Sequence, residues 1–518
     1  MQIEKSAGRL AGPGWVLAGV CLAALMLPMC FTGGALATPA IGREFGGSAT
    51  ALNWVVNAFM LAFGSSLMTA GAWADQLGRR RVFCMGVILF VASSLLISMA
   101  AQLFWLNIMR AAQGLAGAFT LASGTAALAQ EFEGRARTRA FAAIGTTFGI
   151  GLAAGPVLGG LLIQTFGWRA AFLTCATLGV LALLLAVPRM RESRDPQAAG
   201  LDWPGSASFT ASLALFTVGV MQASALGWTS LATLGLLFAS VVMLLVFIAI
   251  ERRVRRPMLD LSLFRYKRFV GVQMLPVATC YGYVVLLVML PIRFIGIEGH
   301  SELEAGLMMM ALSLPLLVIP AVAASLAHRY SPGLLSAGGL VVAAMGLLWL
   351  AQIPPGQSLR TWALPMIVVG VGNGVPWGLM DGLSVSVVPR DRAGMASGIF
   401  STTRVAGECI ALALMVAVLA ALLHGQVHAT WPTVDADRLG SIAQRLAGGD
   451  LARAQALLAD TGDAAATHAG LIRIYGDAFR WLAYLLAGIT ALSATVVFFL
   501  LGSPEGEEVD GSSVGEGL

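Results

Sequence analysis

Four charged residues lie inside stretches of the sequence that are otherwise apolar. Arg404 and Glu408 are four residues apart, so a helix places them on one face. Arg110 occupies an earlier apolar stretch, and Asp381 lies near the end of the stretch that precedes Arg404. A carboxylate whose charge is opposed by burial and favoured by a nearby guanidinium can bind and release a proton. These residue types therefore predict proton exchange inside a largely apolar protein.

Each of these charges also has a structural interpretation. Arg404 and Glu408 can simply neutralise each other, and Arg110 can be held by helix carbonyl groups. A charged side chain at the bilayer centre costs about 2.5–3.5 kcal/mol on insertion scales, so such residues are retained mainly where they function. We therefore favour proton exchange, with Asp381 as the next carboxylate after Glu408.

The elements that position these residues are apolar helices. The chain has 518 residues, of which 58% are hydrophobic and 11% charged, whereas soluble domains carry about 25% charged residues. A helix of about 20 apolar residues crosses a bilayer. About fourteen such runs occur, at 15–37, 52–74, 82–101, 103–129, 139–164, 168–188, 204–224, 231–250, 269–292, 303–327, 333–351, 361–386, 394–423 and 477–501. The sequence predicts an all-α polytopic membrane protein.

Several other classes of protein are excluded. The formal net charge is +5, but no basic stripe alternates with stacking aromatic residues, so no nucleic-acid binding is expected. The sequence has no nucleophile–base set and no Walker-type phosphate loop, so we expect neither an enzyme nor an ATP-driven pump, and no cofactor. The cysteines lie in apolar runs without a C-x-x-C pair, which indicates buried thiols and no metal site. They are Cys21, Cys30, Cys84, Cys175, Cys280 and Cys409.

Arginines are distributed unevenly between alternate loops. Short cationic loops are retained in the cytoplasm, so the arginine-rich loops predict the inner side. With an even number of helices, both termini are then cytoplasmic in a bacterial inner (plasma) membrane. The short outer loops offer only Arg43, Arg169, Arg293 and Arg360, whereas the inner loops contain Arg79, Arg80, Arg81, Arg135, Arg137, Arg139, Arg189, Arg191, Arg194, Arg252, Arg253, Arg255, Arg256, Arg265, Lys267, Arg268, Arg329, Arg390 and Arg392.

The connection between the second and third apolar runs combines glycines, one acid and consecutive arginines. Gly71 and Gly78 allow a tight turn and close helix approach. Asp75 is a lone carboxylate at the mouth of this helix pair, next to Arg79 and Arg80. The alternative to a functional loop is an ordinary connection that only sets the topology.

Small residues recur along the fifth apolar run. Gly151, Gly155 and Gly159 are spaced every four residues and let a neighbouring helix approach closely. Pro156 removes a backbone hydrogen bond and bends the helix, and Gly160 completes the pattern. Tight packing alone is the alternative to a role in transport.

Three of these patterns resemble signatures of one family. The loop 71–81 resembles the G-x-x-x-D-x-x-G-R-R-R signature of the major facilitator superfamily, and Arg110-x-x-Gln113-Gly114 resembles its R-x-x-q-G signature. The Gly-Pro run resembles the antiporter signature of its exporters. Together they resemble the fourteen-helix drug/proton antiporters. The resemblance implies that Asp75 with its arginines latches one conformation and that Arg110 takes part in proton transfer.

The family fold implies two six-helix bundles that rock around a central cavity. We expect the bundles at 1–195 and 261–505, with two additional helices and a linker at 196–260. The polar stretch 424–476 is expected outside, with one or two short amphipathic helices, as a solvated lid or alternatively a ligand gate. Residues 506–518 are expected to form a disordered cytoplasmic tail.

One position departs from the family pattern. Family members often carry an Asp in the first helix, where this chain has Cys30. We expect Cys30, Gln113 and Asn57 to line the substrate cavity. With Arg110 and Arg404 inside, that cavity suits neutral, zwitterionic or anionic cargo.

The resemblance predicts a proton-coupled secondary exporter that acts on many drugs and works as a monomer in the lipid bilayer. Its partners are protons and small-molecule substrates. The alternative is a dedicated exporter of an endogenous metabolite, such as a siderophore-like carboxylate. Less favoured interpretations are a proton-symporting importer of the same fold and a membrane sensor that no longer transports.

Overall fold

The computed structural model describes residues 3–47, 49–132, 134–194, 203–254, 261–388, 393–432, 434–458 and 464–502. These residues form helices and connecting turns, and no strand occurs among them. The predicted tail, 506–518, lies outside the described residues.

The described residues contain eighteen α-helices. They are α1 Ile3–Phe45, α2 Ala49–Leu77, α3 Arg79–Ser98, α4 Leu103–Glu131, α5 Gly134–Phe166, α6 Arg169–Ala186, α7 Trp203–Leu226, α8 Leu231–Glu251, α9 Lys267–Thr279, α10 Val285–Pro291, α11 Glu302–Ser313, α12 Pro315–Leu326, α13 Pro332–Ala351, α14 Leu359–Ser386, α15 Ala393–Thr430, α16 Ala436–Ala447, α17 Leu451–Ala456 and α18 Ala464–Leu501. A 3-10 helix, Leu261–Arg265, precedes α9, and π-helical turns at Cys280–Val284 and Ile292–Ile297 make α9 and α10 one continuous span.

Each apolar run of the sequence coincides with one helix or with two consecutive helices. Within the described residues, eleven helices are long and apolar enough to cross a membrane, or up to twelve if the bent α2 is one span. Helices α4 and α7 are not among them. The all-α membrane fold is confirmed, and the number fourteen stays a prediction.

Helices α1 to α6, the first helix set, pack mainly against one another. Helix α2 contacts α4, α3 contacts α4 and α6, and α1 contacts α5 and α6. A Cβ at Gly114 of α4 would clash with the backbone carbonyl of Phe59 in α2. This close approach holds Arg110, one turn earlier on α4, against α2.

Helices α9 to α15 and α18 form the second helix set. Helix α13 contacts α14 and α18, α12 contacts α14, and α9 contacts α18. The two sets meet where α5 packs on α11 and α2 on α15, while α7 contacts α8, α2 and α15. The division into domains at 1–195, 196–260 and 261–505 stays a prediction.

The long polar stretch contains the two short helices that the sequence predicts. Helix α16 begins after Asp435 and α17 after Asp450, and each carboxylate accepts a hydrogen bond from a backbone N–H of its helix. The flanking helices are longer than their apolar runs. Val427 near the end of α15 and Tyr475 in the first half of α18 are fully buried, so one face packs where the sequence is already polar.

The two helix sets are joined by polar contacts at one end. We call the end that carries 79–81 the arginine-rich face and the other end the opposite face. At the opposite face, Arg43 of α1 forms an ion pair with Glu302 of α11. Arg445 and Arg453 of the α16–α17 segment donate to backbone carbonyls near the end of α1, at 3.1 and 3.5 Å. The α16–α17 segment therefore covers the opposite face and contacts the first helix set.

Candidate functional site

The Arg110 side chain lies in the middle of the first helix set and is fully buried. Its Nε donates to the Val55 carbonyl of α2 at 2.6 Å, and its Nη1 donates to Gln113 Oε1 at 2.6 Å. Nη1 also lies 3.1 Å from the Cys30 sulfur of α1. The guanidinium thus connects α1, α2 and α4 through neutral acceptors.

Aromatic rings complete the surroundings of this guanidinium. The Arg110 carbon Cζ lies 4.6 Å from the ring centroid of Phe59 and 5.5 Å from that of Phe172. Such cation–π contacts contribute about 2 kcal/mol or more when they are desolvated. Within the described residues no carboxylate lies within ion-pair distance of Arg110, and its Nη2 has no hydrogen-bond partner. The site is therefore a buried, uncompensated cation with one open donor.

The three residues predicted to line the cavity lie at or near this cation. Gln113 donates to Ser94 Oγ at 2.7 Å, so it bridges Arg110 to α3. Cys30 and Asn57 are both fully buried, Asn57 on the same helix as Phe59. Two of the three thus contact Arg110 directly, and their exposure to a substrate stays a prediction.

The second group of predicted residues lies between α14 and α15. Arg404 Nη1 lies 3.5 Å from Asp381 Oδ1, with the two side chains 26% and 68% exposed. Glu408, half-buried, lies one turn beyond Arg404 but has no ion pair within 4 Å among the described residues. The structure therefore pairs Arg404 with Asp381, not with Glu408. Such an exposed pair contributes about 0–1 kcal/mol, so it breaks easily.

This second group lies at the junction of the two helix sets. A Cβ at Gly64 of α2 would lie 3.0 Å from the Cβ of Val405, the residue next to Arg404. On the other side, Cys280 of the α9–α10 span approaches the Arg404 carbonyl at 3.7 Å. Any movement of α15 against α2 therefore displaces Arg404 and Glu408.

The loop between α2 and α3 is held by its acid and its arginines. Arg79 donates from Nε and Nη2 to Asp75 Oδ1, at 3.1 and 2.9 Å, and from Nη1 to Gln130 Oε1 at 2.9 Å. Arg80 Nε donates to the Val187 carbonyl at 3.0 Å. Asp75, Arg79 and Arg80 therefore form one network between α2, α3, α4 and the end of α6.

Glu192, which sequence reasoning missed, closes this network. Its carboxylate accepts the backbone N–H of Arg80 at 3.2 Å and lies 3.5 Å from Arg81 Nε. Gly78 has a φ of 112°, and a Cβ there would clash with the Glu192 carboxylate. The sequence signal of Glu192 is an acid that lies between Arg191 and Arg194, shortly after α6. A Cβ at Gly71 would have no neighbour within 4 Å, so the close approach predicted there is not seen.

The small residues of α5 face two neighbours. Cβ atoms at Gly151 and Gly155 would clash with Pro28 and Thr32 of α1, and one at Gly159 would lie 3.5 Å from the Cα of Gly33. On another side, Gly160 packs on the backbone of Glu302, and the Pro156 carbonyl packs on Gly306 of α11. Tight packing is therefore real at both interfaces, and a role of these residues in the direction of transport stays a prediction.

Comparisons with known proteins agree with this architecture. Residues 20–412 match the model of the Major Facilitator Superfamily. The chain is 31% identical over 398 residues, 76% of its length, to 73% of the multidrug resistance protein Stp of Mycobacterium tuberculosis (strain CDC 1551 / Oshkosh). It is 27% identical over 509 residues, 97% of its length, to 94% of the tetracenomycin C resistance and export protein of Streptomyces glaucescens.

Solved structures show the same arrangement of helices. A bacterial homologue of the human lysosomal transporter Spinster, in an inward-facing and unoccupied conformation, superposes with a TM-score of 0.62 at 15% identity. The superposition covers 95% of this chain and 99% of that one. At this identity the likeness concerns the fold alone.

The loop network predicts a measurable coupling between Gly78 and Glu192. Gly78→Ala should cost about 1–3 kcal/mol of stability, because it forces a positive φ and a clash onto an L-residue. Glu192→Ala should cost at most about 1 kcal/mol, since its ion pair is exposed. The double variant should lose less than the sum, because the clash is gone. Thermal unfolding of the purified variants measures this, with Gly71→Ala as the matched neutral control. Strict additivity would contradict the contact.

The Arg110 environment predicts that lysine cannot replace this arginine. Arg110→Lys keeps the charge but loses the planar fork that reaches Val55 and Gln113 together, so stability should fall by about 2–4 kcal/mol. Arg189→Lys, an exposed arginine on α6's end, is the control and should change little. Equal unfolding temperatures for both variants would show that the guanidinium contacts are unimportant.

Proposed function

The chain belongs to the Major Facilitator Superfamily and is a membrane transporter rather than an enzyme, and on this premise we propose that it exports small molecules in exchange for protons. The observation that carries this proposal is the group Asp381, Arg404 and Glu408 at the junction of the helix sets. There the Arg404 guanidinium forms a weak ion pair with Asp381 of α14, and Glu408 lies one turn further along α15. A carboxylate that loses the guanidinium is the one that binds a proton.

The coupling step follows from which carboxylate Arg404 contacts. In the described conformation Arg404 contacts Asp381, and Glu408 is half-buried without an ion pair within 4 Å among the described residues. Glu408 therefore binds the proton in this state. When α15 shifts against α2, Arg404 turns to Glu408, and the proton leaves as the pair forms. Arg110 supports the change from the first helix set, since α2 contacts both α4 and α15.

The exported cargo is proposed from the Arg110 site. The Nη2 donor is buried and has no hydrogen-bond partner among the described residues, so a substrate that reaches it when the helices move apart should carry a hydrogen-bond acceptor or a negative group. Cys30 occupies the place where a carboxylate would select cations, and its sulfur already contacts Arg110. Export of several drug-like molecules is our main proposal, supported by the similarity to the multidrug resistance protein Stp and to the tetracenomycin C resistance and export protein. A dedicated exporter of a carboxylate metabolite is the alternative that the uncompensated Arg110 favours.

The remaining expectations complete this proposal. We place the arginine-rich face in the cytoplasm with both termini, in the inner membrane of a bacterium, and treat the chain as a monomer of two six-helix domains. The network of Asp75, Arg79 and Glu192 latches the first helix set at the cytoplasmic face. The α5–α11 contact around Gly160 and Pro156 supports closure at the opposite face. Substrate then passes by alternate opening of these two ends.

Proton release on ligand binding tests the function directly. Purified protein in weakly buffered detergent solution is mixed with a panel of lipophilic cations and, separately, with a panel of citrate-type carboxylates. Release by many cations supports multidrug export, and release by one carboxylate supports the dedicated exporter. Silence with ligands that demonstrably bind would refute proton exchange as the coupling mechanism.

Substitution of Glu408 is expected to separate binding from coupling. Glu408→Gln should abolish ligand-induced proton release and export against a gradient, at least a tenfold loss, because the amide cannot carry the proton. Ligand binding should change less than threefold. Asp437→Asn, a carboxylate in the first turn of α16, is the matched control and should behave as the unmodified protein. If Glu408→Gln still releases protons while Asp381→Asn does not, Asp381 is the coupling residue.

A further inference from the structure

A buried ion pair lies at the opposite face, away from the residues described above. Arg293 Nε donates to Glu298 Oε1 at 2.6 Å, and the two side chains are only 2% and 1% exposed. The guanidinium carbon lies 4.5 Å from the ring centroid of Trp362 and 4.7 Å from that of Phe479. The pair therefore connects the π-helical turn after α10 to α14 and α18.

Several polar atoms around this pair are buried without a partner. Within the described residues these are Arg293 Nη2, Glu298 Oε2, His300 Nε2, Trp362 Nε1 and Tyr475 OH. Buried polar groups in native proteins are nearly all hydrogen-bonded, and such an accumulation indicates bound water or an exchangeable proton. One group beside this ion pair can bind such a proton.

The group that can bind a proton is the imidazole of His300, which lies between the carboxylates of Glu298 and Glu304. Its Nε2 is 3.7 Å from Glu298 Oε2, and its Nδ1 is 3.6 Å from Glu304 Oε2. A neutral imidazole donates from only one nitrogen, whereas the protonated ring donates from both. Only the protonated ring can therefore direct an N–H towards both carboxylates, which lie at ion-pair distances of 3.7 and 3.6 Å.

Two routes lead from solvent to this site. The Glu304 side chain is 60% exposed and also caps α11, where it accepts the backbone N–H of Ser301 at 2.9 Å. A surface pocket of about 280 Å³ is lined by Glu298, Gln455 and His468. This pocket borders Glu298 on the side of α17 and α18.

The other charged groups that face the site have partners of their own. Asp450 at the start of α17 pairs with Arg445 and Arg453, at 3.6 and 3.3 Å. His468 of α18 contacts Gln455 at 3.0 Å, whereas the buried Tyr475 OH of α18 has no hydrogen-bond partner among the described residues. Across the interface between the helix sets, Glu302 pairs with Arg43. His300 is thus the imidazole that faces two carboxylates directly.

We propose that Glu298 and His300 form a second proton-binding site, at the opposite face, which is distinct from the Asp381–Glu408 group. The proton comes from bulk water on the side of Glu304 or of the pocket and adds to the imidazole, whose Nε2 lies 3.7 Å from the Glu298 carboxylate. It returns to water by the same path, so no other reactant is needed. The site lies two residues from Glu302, whose bond to Arg43 joins the helix sets, so its protonation favours the closed opposite face. The role of this second site in transport rests on the function proposed above.

His300→Asn tests this role without leaving Arg293 unpaired. In proteoliposomes, the pH on both sides is lowered together from 8 to 6 with the gradient held constant. Export by the unmodified protein should change at least threefold, and His300→Asn should reduce this change to less than 1.5-fold. His428→Asn, an exposed histidine at the end of α15, is the matched control and should keep the original profile. A profile unchanged in His300→Asn would overturn the proposal.

A measurement without substrate separates this proposal from the proposed function. The two carboxylates attract a positively charged His300 ring and not a neutral one, whereas Asn at this position carries no charge at either pH. The unfolding temperature of the unmodified protein should exceed that of His300→Asn more at pH 6 than at pH 8. Glu298→Gln should remove this pH-dependent part of the difference. A difference in unfolding temperature that does not depend on pH would refute the site, even if export proves to be proton-coupled. A difference that depends on pH would support the site, even if export proves not to be proton-coupled.

Discussion

A bilayer supplies no water to a buried guanidinium, and much of this structure is arranged around that constraint. Arg110 is the most demanding case, because its charge is fully buried and no carboxylate neutralises it among the described residues. A carbonyl of α2, an amide of α4, a thiol of α1 and two aromatic rings share the task. The contacts of this one side chain hold four helices of the first set, α1, α2, α4 and α6, in place.

Three arginines of the membrane region meet the same constraint in different ways. Arg293 is fully buried and bound to Glu298 between two aromatic rings, which fixes the opposite face. Arg404 is partly exposed and only weakly paired with Asp381, which leaves it able to change partner. We propose that the uncompensated Arg110 binds substrate and that the weakly paired Arg404 changes partner, while the buried Arg293 holds the opposite face together.

The sequence predicted the helices well because membrane spans require long apolar runs, and each run coincides with helical structure. The bounds of α15 and α18 were missed, since their ends pack one face while the sequence is already polar. Contacts between distant segments were beyond sequence reasoning. Glu192 contacts the α2–α3 loop across more than a hundred residues of sequence. The role proposed for His300 depends on the side chains of Glu298 and Glu304, which the structure places on its two sides. Arg404 and Glu408 share one face of α15, yet the Arg404 guanidinium contacts Asp381 of the preceding helix, α14.

The central claim is that movement of substrate and movement of protons are one reaction. Proteoliposomes with equal pH on both sides and a substrate gradient across the membrane test this claim most directly, with a pH indicator trapped in the lumen. Coupled exchange predicts that substrate flowing down its gradient drives protons in the opposite direction, and that Glu408→Gln abolishes this proton movement. Substrate flux through the unmodified protein without any change in lumenal pH would contradict the account.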